Sequence, residues 1–255
     1  MDSDPTINLL IDELQVAGAE WARHRPPRGD ADRATVLAYA QAMYRQRAAF
    51  AALHAQGSAA VPALIAALAV AVPPQWRLIA QALGLLKDPQ AVAPLIPAMT
   101  HADSTIREAA ATALGWITDR RATPALLRAL TDPAQGVRSA AAAAFTEIRD
   151  PRAVEPLVQA LRDPHHWVRS TAASALSEQH DARAVLPLIA LLADPNAEVR
   201  QTAIDALDAL GDTRAIPHLE WLQEHDTGVT QDGKVCNSAR GVAQHLRQRA
   251  TSPPE

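Results

Sequence analysis

"DPRAVEPLVQALRDPHHWVRSTAASALSEQH", residues 150–180, holds two apolar stripes at helical spacing, separated by an Asp-Pro turn. Asp150 opens the stretch as a helix N-cap, its carboxylate placed to accept free backbone N–H groups. Val154, Leu157, Val158 and Leu161 follow at i, i+3, i+4 and i+7, the stripe of a first helix. Asp163-Pro164 stops that helix and starts a tight turn. Val168, Ala172, Ala175 and Leu176 then line a second helix. One such hairpin cannot bury its apolar face alone, so it requires neighbours of the same kind.

The neighbours are in the sequence. Residues 119–149 read "DRRATPALLRALTDPAQGVRSAAAAAFTEIR" and residues 181–211 read "DARAVLPLIALLADPNAEVRQTAIDALDALG". Cuts at residues 57, 88, 119, 150, 181 and 212 give a constant period of 31. The fourth position of every unit is alanine, from Ala60 to Ala215, and the eighth is leucine, from Leu64 to Leu219. Prolines fall at the sixth or seventh position, in the first turns of a helix, where a missing N–H costs least.

Residues 57–211 are therefore expected to form five 31-residue repeats. Residues 212–255 begin as a sixth unit and then depart, with "HDTGVTQDGKV" (225–235) in place of the turn, which fits a divergent C-terminal cap. Residues 1–56 lack the period and read as two helices joined by "RPPRGD" (25–30), an N-terminal helical cap. The expected fold is all-α: a right-handed α-solenoid, or superhelix, of two-helix repeats with a cap at each end.

The pattern resembles the HEAT-like repeats named after phycobilisome lyases, whose consensus is similar to "DPRAVEPLVQAL.D....VR..AA.AL"; residues 150–176 reproduce it almost in full. The resemblance implies an armadillo-like helical scaffold for protein binding. The name of the repeat implies an alternative, a bilin lyase or bilin-handling chaperone subunit. Deoxyhypusine hydroxylase resembles these repeats too, and carries His-Glu pairs that bind iron at the start of its second helices. Here those places hold Arg107-Glu108, Arg138-Ser139, Arg169-Ser170 and Arg200-Gln201, so that iron site is absent from this sequence.

Composition narrows the function classes. The chain is 48% apolar but only 4% aromatic, with ten glycines, which suits close-packed helices better than turn-rich β structure. A net charge of −4 gives no global attraction to phosphate or anionic lipid. One cysteine, Cys236, rules out an internal disulfide framework and suits a reducing, cytoplasmic setting. The N-terminus "MDSDPTINLL" lacks the basic region of a secretion signal. The longest apolar run, residues 59–72, has 14 residues and contains a proline, so it reads as a buried helix and not a membrane span.

No catalytic, cofactor or metal motif stands out: HExxH, the Walker loop, GxGxxG and GxSxG are all missing. His165 and His166 are adjacent, so their side chains diverge, whereas helical metal ligands converge at i, i+4. Cys236 has no base at a recognisable spacing and reads as an incidental thiol.

What the sequence does offer is a face. Positions 18, 21, 25 and 29 of each unit share one side of the second helix, opposite its buried stripe. In a solenoid of this kind the second helices line the concave groove. The contact candidates there are Arg77, Glu108, Trp116, Glu147, Trp167, Glu178, Glu198 and Asp205, with His166 at the lip. Tryptophans among small side chains suit a buried partner, and the surrounding carboxylates favour a basic one. The expected function is a noncatalytic scaffold that binds a protein or peptide partner in its groove. Nucleic-acid binding ranks last, because phosphates require a basic surface. One ladder stays open at this point: Arg107, Arg138, Arg169 and Arg200 read either as staples between repeats, bridging carboxylates and helix-end carbonyls, or as ligand-facing cations, and the staple is favoured.

Overall fold

The computed structural model describes residues 4–23, 33–230 and 233–251; the "RPPRGD" connection lies outside them. Helices dominate, and the chain divides into two compact units, residues 1–122 and 123–255.

In the first unit, α1 (Pro5–Arg23) and α2 (Arg33–Gln56) form a hairpin against the repeats. The repeat helices follow as α3 (Val61–Val70) with α4 (Pro73–Leu86), and α5 (Val92–Leu95) with α6 (Ser104–Ile117). In the second unit the pairs are α7 (Thr123–Ala129) with α8 (Gln135–Glu147), α9 (Val154–Ala160) with α10 (His166–Glu178), and α11 (Val185–Leu191) with α12 (Ala197–Leu210). The last pair, α13 (Ile216–His225) and α14 (Val235–Thr251), is joined by a loop carrying an antiparallel ribbon, Val229–Thr230 with Gly233–Lys234. Second helices lie side by side: α4 on α6, and α8, α10, α12 and α14 in series.

The aspartate that opens every unit after the first does cap, but it caps a 3₁₀ turn. Asp88, Asp119, Asp150, Asp181 and Asp212 each accept the backbone N–H two residues on, at 2.8 to 3.0 Å. The tight turn carries the invariant alanine into the core with no exposed surface, and only then does a short α-helix begin. The first helices are thus shorter than the apolar stripe alone suggests. In the second repeat the shortening is extreme: α5 runs only from Val92 to Leu95 and gives way to a 3₁₀ turn over Pro97–Thr100. Pro97 has no N–H for the carbonyl of Ala93, and its ring crowds that carbonyl.

Asp132, Asp163 and Asp194 of the Asp-Pro turns each accept the N–H two residues on, at 2.8 to 2.9 Å, which fixes the corner between helices. Three second helices end on a left-handed residue at the last repeat position: Thr118 (φ 61°), His180 (φ 50°) and Gly211 (φ 71°), with Lys87 (φ 53°) doing the same for α4. Helix α8 is the exception, because Ile148 is extended. Its loose carbonyls are met from the next repeat, where Gln179 Nε2 donates to the Phe145 and Ile148 carbonyls at 2.6 and 3.2 Å and its Oε1 accepts from Asp150 N at 2.8 Å.

The leucine at the eighth position of all six units has 0% exposure, as has Phe145. Full burial of each such side chain is worth about 1.5–3 kcal/mol against leaving it in water. By length and composition alone the helical stretch Ala34–Val70 would suffice to cross a membrane. It breaks at Gly57 (φ 57°) and a 3₁₀ turn over Gly57–Ala60, and α3 buries Val61, Ala63, Leu64 and Leu68.

Candidate protein-interaction surface

The arginine ladder is occupied with the scaffold. Arg138 Nε and Nη2 donate to the two carboxylate oxygens of Asp163 at 2.6 and 3.0 Å, while Nη1 donates to the carbonyls of Asp132 and Pro133. Arg169 repeats the arrangement one unit later on Asp194, at 2.6 and 2.8 Å, and on the carbonyls of Asp163 and Pro164. Arg200 takes Asp226 at 2.5 and 2.9 Å and the Asp194 carbonyl. Arg107 donates to the carbonyls of His101 and Ala102. Each complete staple therefore ties the corner of its own repeat to the corner of the next.

Electrostatics agree with this geometry. Burial works to raise the Asp163 carboxyl, but Arg138 and the His165 N–H outweigh it and hold it below its ordinary value. Arg200, helped by the Gly228 N–H and opposed by burial, does the same for Asp226. Asp226 lies one position later than the Asp-Pro aspartates of the other units. The divergent loop supplies the staple's acceptor from a different backbone.

A second ladder had no place in the reading of the sequence. Arg121, Arg152, Arg183 and Arg214 each fold back on the capping aspartate two residues earlier, at 2.6 to 2.7 Å. Arg121 and Arg183 also reach the preceding repeat, at the carbonyls of Pro89 and Pro151. The signal is visible as Asp-x-Arg at the head of four successive units.

With these arginines committed, the faces of the second helices carry the remaining chemistry. In the first unit a depression of about 400 Å³ lies between α4 and α6, and Arg77, Glu108 and Trp116 line it together with Gln81, Thr105 and Thr112. Trp116 is half-buried, and its ring lies over Gly84, where a Cβ would come within 2.8 Å of it. The tryptophan is thus partly a packing residue between neighbouring repeats.

In the second unit a larger depression, about 830 Å³, crosses α8, α10 and α12. Its walls carry the carboxylates of Glu147, Glu178 and Asp205, with Arg149 as the cation among them. Arg149 Nη2 lies 3.5 Å from Glu178, and Gln201 Nε2 donates to Asp205 at 2.9 Å. Glu147 and Asp205 are exposed, and Glu178 is partly so.

The depression follows the C-terminal halves of these helices. Positions nearer their starts serve other ends: Ser139 and Thr171 hydroxyls meet at 3.3 Å, Ser170 meets Thr202, which also lines the depression, at 2.8 Å, and Gln201 is only 9% exposed. His166, Trp167 and Glu198 line neither depression. They stand at helix starts, where Trp167 is 65% exposed and tilted against His166 with ring centroids 5.1 Å apart. Among the described residues no group of three or more His, Cys, Asp or Glu side chains is placed to hold a metal ion.

The family model described as HEAT repeats matches residues 61–146, 129–197 and 154–232. None of the curated proteins matches the chain. Among solved structures, an engineered protein is 24% identical and aligns over 72% of this chain and 95% of its own, with a TM-score of 0.55. A designed armadillo repeat protein solved in complex with the peptide (KR)4 is 19% identical over 72% of this chain and 98% of its own, with a TM-score of 0.56. Escherichia coli YibA is 17% identical over 96% of this chain and 98% of its own, with a TM-score of 0.55. These likenesses establish an α-solenoid repeat fold. With the family match spanning more than half of the sequence, the chain belongs to the HEAT-repeat family.

Proposed function

We propose that this HEAT-repeat protein is a noncatalytic docking scaffold, and that the second-helix face of residues 123–255 receives an extended, lysine- and arginine-rich segment of a protein partner. One observation carries the reading: Glu147, Glu178 and Asp205, contributed by three successive repeats, share one depression with a single cation, Arg149. Packed helices stand about 10 Å apart and an extended chain advances about 3.3 Å per residue. Every third partner residue then meets one carboxylate. Arg149 is held by Glu178, so an incoming guanidinium or ammonium displaces a solvent-exposed ion pair worth little.

The designed armadillo protein was solved with a peptide of this charge, which supports the choice of partner. The depression beside Trp116 suits one further basic side chain, with Glu108 to pair it and the indole to face it. The three carboxylates of the larger depression oppose a nucleic-acid backbone.

The test is fluorescence anisotropy with a labelled peptide of alternating lysine and arginine. Wild type should bind, more weakly as salt rises, and Glu147→Gln/Glu178→Gln/Asp205→Asn should lose about tenfold or more in affinity. Equal affinity in the triple variant rules out this face as the docking site.

A further inference from the structure

The two ends of the array are finished differently. A terminal repeat needs a polar outer face to stay in water. Helix α14 has one: Val235, Ala239, Ala243 and Leu246 are buried, while Arg240, Gln244 and Arg247 point out. Helix α2 does not. It buries Ala42, Ala49 and Leu53, yet its opposite side exposes Leu37, Gln41, Tyr44, Ala48, Ala51 and Ala55, flanked by exposed Val36 and Met43. Leu37 is 57% exposed and Tyr44 75%. Large apolar side chains left in water along one stripe of a helix mark a face that a partner covers.

We infer that the outer face of α2 pairs with the same face of a second copy of this chain, antiparallel about a two-fold axis near residue 46. The stripe itself points to this occupant. Its six residues are spaced alternately by four and three, the seam of a coiled coil. Its bulky members lie in the N-terminal half and its alanines in the C-terminal half. Antiparallel pairing sets Leu37 against Ala55, Gln41 against Ala51 and Tyr44 against Ala48 of the partner copy, so every layer matches a large side chain to a small one. Parallel pairing would stack Tyr44 on Tyr44 and leave gaps between alanines, and gaps forfeit packing energy.

The area is adequate. A 24-residue helix is roughly 36 Å long, so paired along its whole length it approaches the ~800 Å² per partner of a standard interface. A self-complementary patch closes as a two-fold dimer, whereas head-to-tail growth would need an apolar face on α14. A bilayer is the poorer occupant, because Gln41, Arg45, Gln46 and Arg47 sit in the middle of the helix, where charge is costly in hydrocarbon. Arg45 is already paired with Glu20 of its own chain.

Sedimentation velocity on the full chain tests the pairing. Wild type at micromolar concentration should sediment at about twice its 27.2 kDa, and Tyr44→Glu should sediment as a monomer with unchanged helical circular dichroism. The register has its own test. Ala48→Tyr sets tyrosine against tyrosine and should weaken the dimer at least about tenfold, whereas the swap Tyr44→Ala/Ala48→Tyr restores a large-on-small layer and should recover it. Leu186→Glu, on the exposed side of α11, should leave the dimer intact. A monomeric wild type, a dimer indifferent to Tyr44→Glu, a swap as weak as Ala48→Tyr, or a monomer that floats with phosphatidylcholine–phosphatidylserine vesicles would each overturn the inference.

Discussion

The staple between Arg169 and Asp194 leaves 12% and 4% of the two side chains exposed, so neither charge has water to fall back on. Truncation of one partner strands the other, which typically costs about 3–5 kcal/mol. Arg169→Ala should lower unfolding stability by about 3 kcal/mol in denaturant titration. Arg169→Lys should recover only part of it, because an ammonium cannot span the carboxylate and two carbonyls at once. The capping aspartates set the response to acid. Arg152 first, and its backbone N–H after it, act against the pull of burial to lower Asp150 from 3.8 to about 2. Its stabilising contribution is complete above pH 3.8 and is lost as pH falls through about 2. Asp150→Asn should therefore be less stable at neutral pH and lose less of its helical signal between pH 4 and pH 2 than wild type. The arginines of the ladder were legible as staples because three of the four, Arg138, Arg169 and Arg200, recur beside an Asp-Pro corner. The Asp-Pro aspartates were readable as their carboxylates; that Arg138 and Arg169 take the one in the following repeat, 25 residues on, and that Arg200 takes Asp226 from a loop that breaks the period, was not.

Helix ends decide how each pair meets the next. Thr118 is β-branched and holds φ at 61°, a conformation that costs an L-residue about 1–2 kcal/mol, whereas the equivalent place in the fifth repeat is Gly211. Thr118→Gly should raise the melting temperature, for a gain of about 1 kcal/mol. Gly84 shows the converse. A methyl there would meet the Trp116 ring at 2.8 Å and the Ala113 backbone at 3.1 Å, so Gly84→Ala should cost about 1–3 kcal/mol and shift tryptophan emission toward that of a solvated indole. At this scale the period of leucine and alanine made helix pairs readable, because burial dictates it. Two departures were not readable from the stripe: Pro97 cuts α5 short, and α8 ends without a left-handed residue. Gln179 marks the second departure, a polar residue where the second and third repeats have isoleucine, and its amide completes the end of α8.

The whole molecule is a repeat array, and its class was plain from a period that needs no gaps, since stacking is the only way such hairpins bury their stripes. Spacing on the second helices assigned the contact candidates to a single face; Arg77, Glu108 and Trp116 line one depression in the first unit, and Glu147, Glu178 and Asp205 line another in the second. It missed Arg149, and in the second unit it gave equal weight to the helix starts, where hydroxyl pairs and a buried Gln201 occupy the face instead. Trp167 stands outside the depression and exposed, so Trp167→Ala should leave stability within about 0.5 kcal/mol of wild type. Docking on the second helices of residues 123–255 is measured directly by amide hydrogen exchange with and without a lysine- and arginine-rich peptide. Slowed exchange confined to segments 144–149, 174–180 and 202–210 is the expected result. Protection on the first helices α9 and α11, or none at peptide saturation, would contradict it.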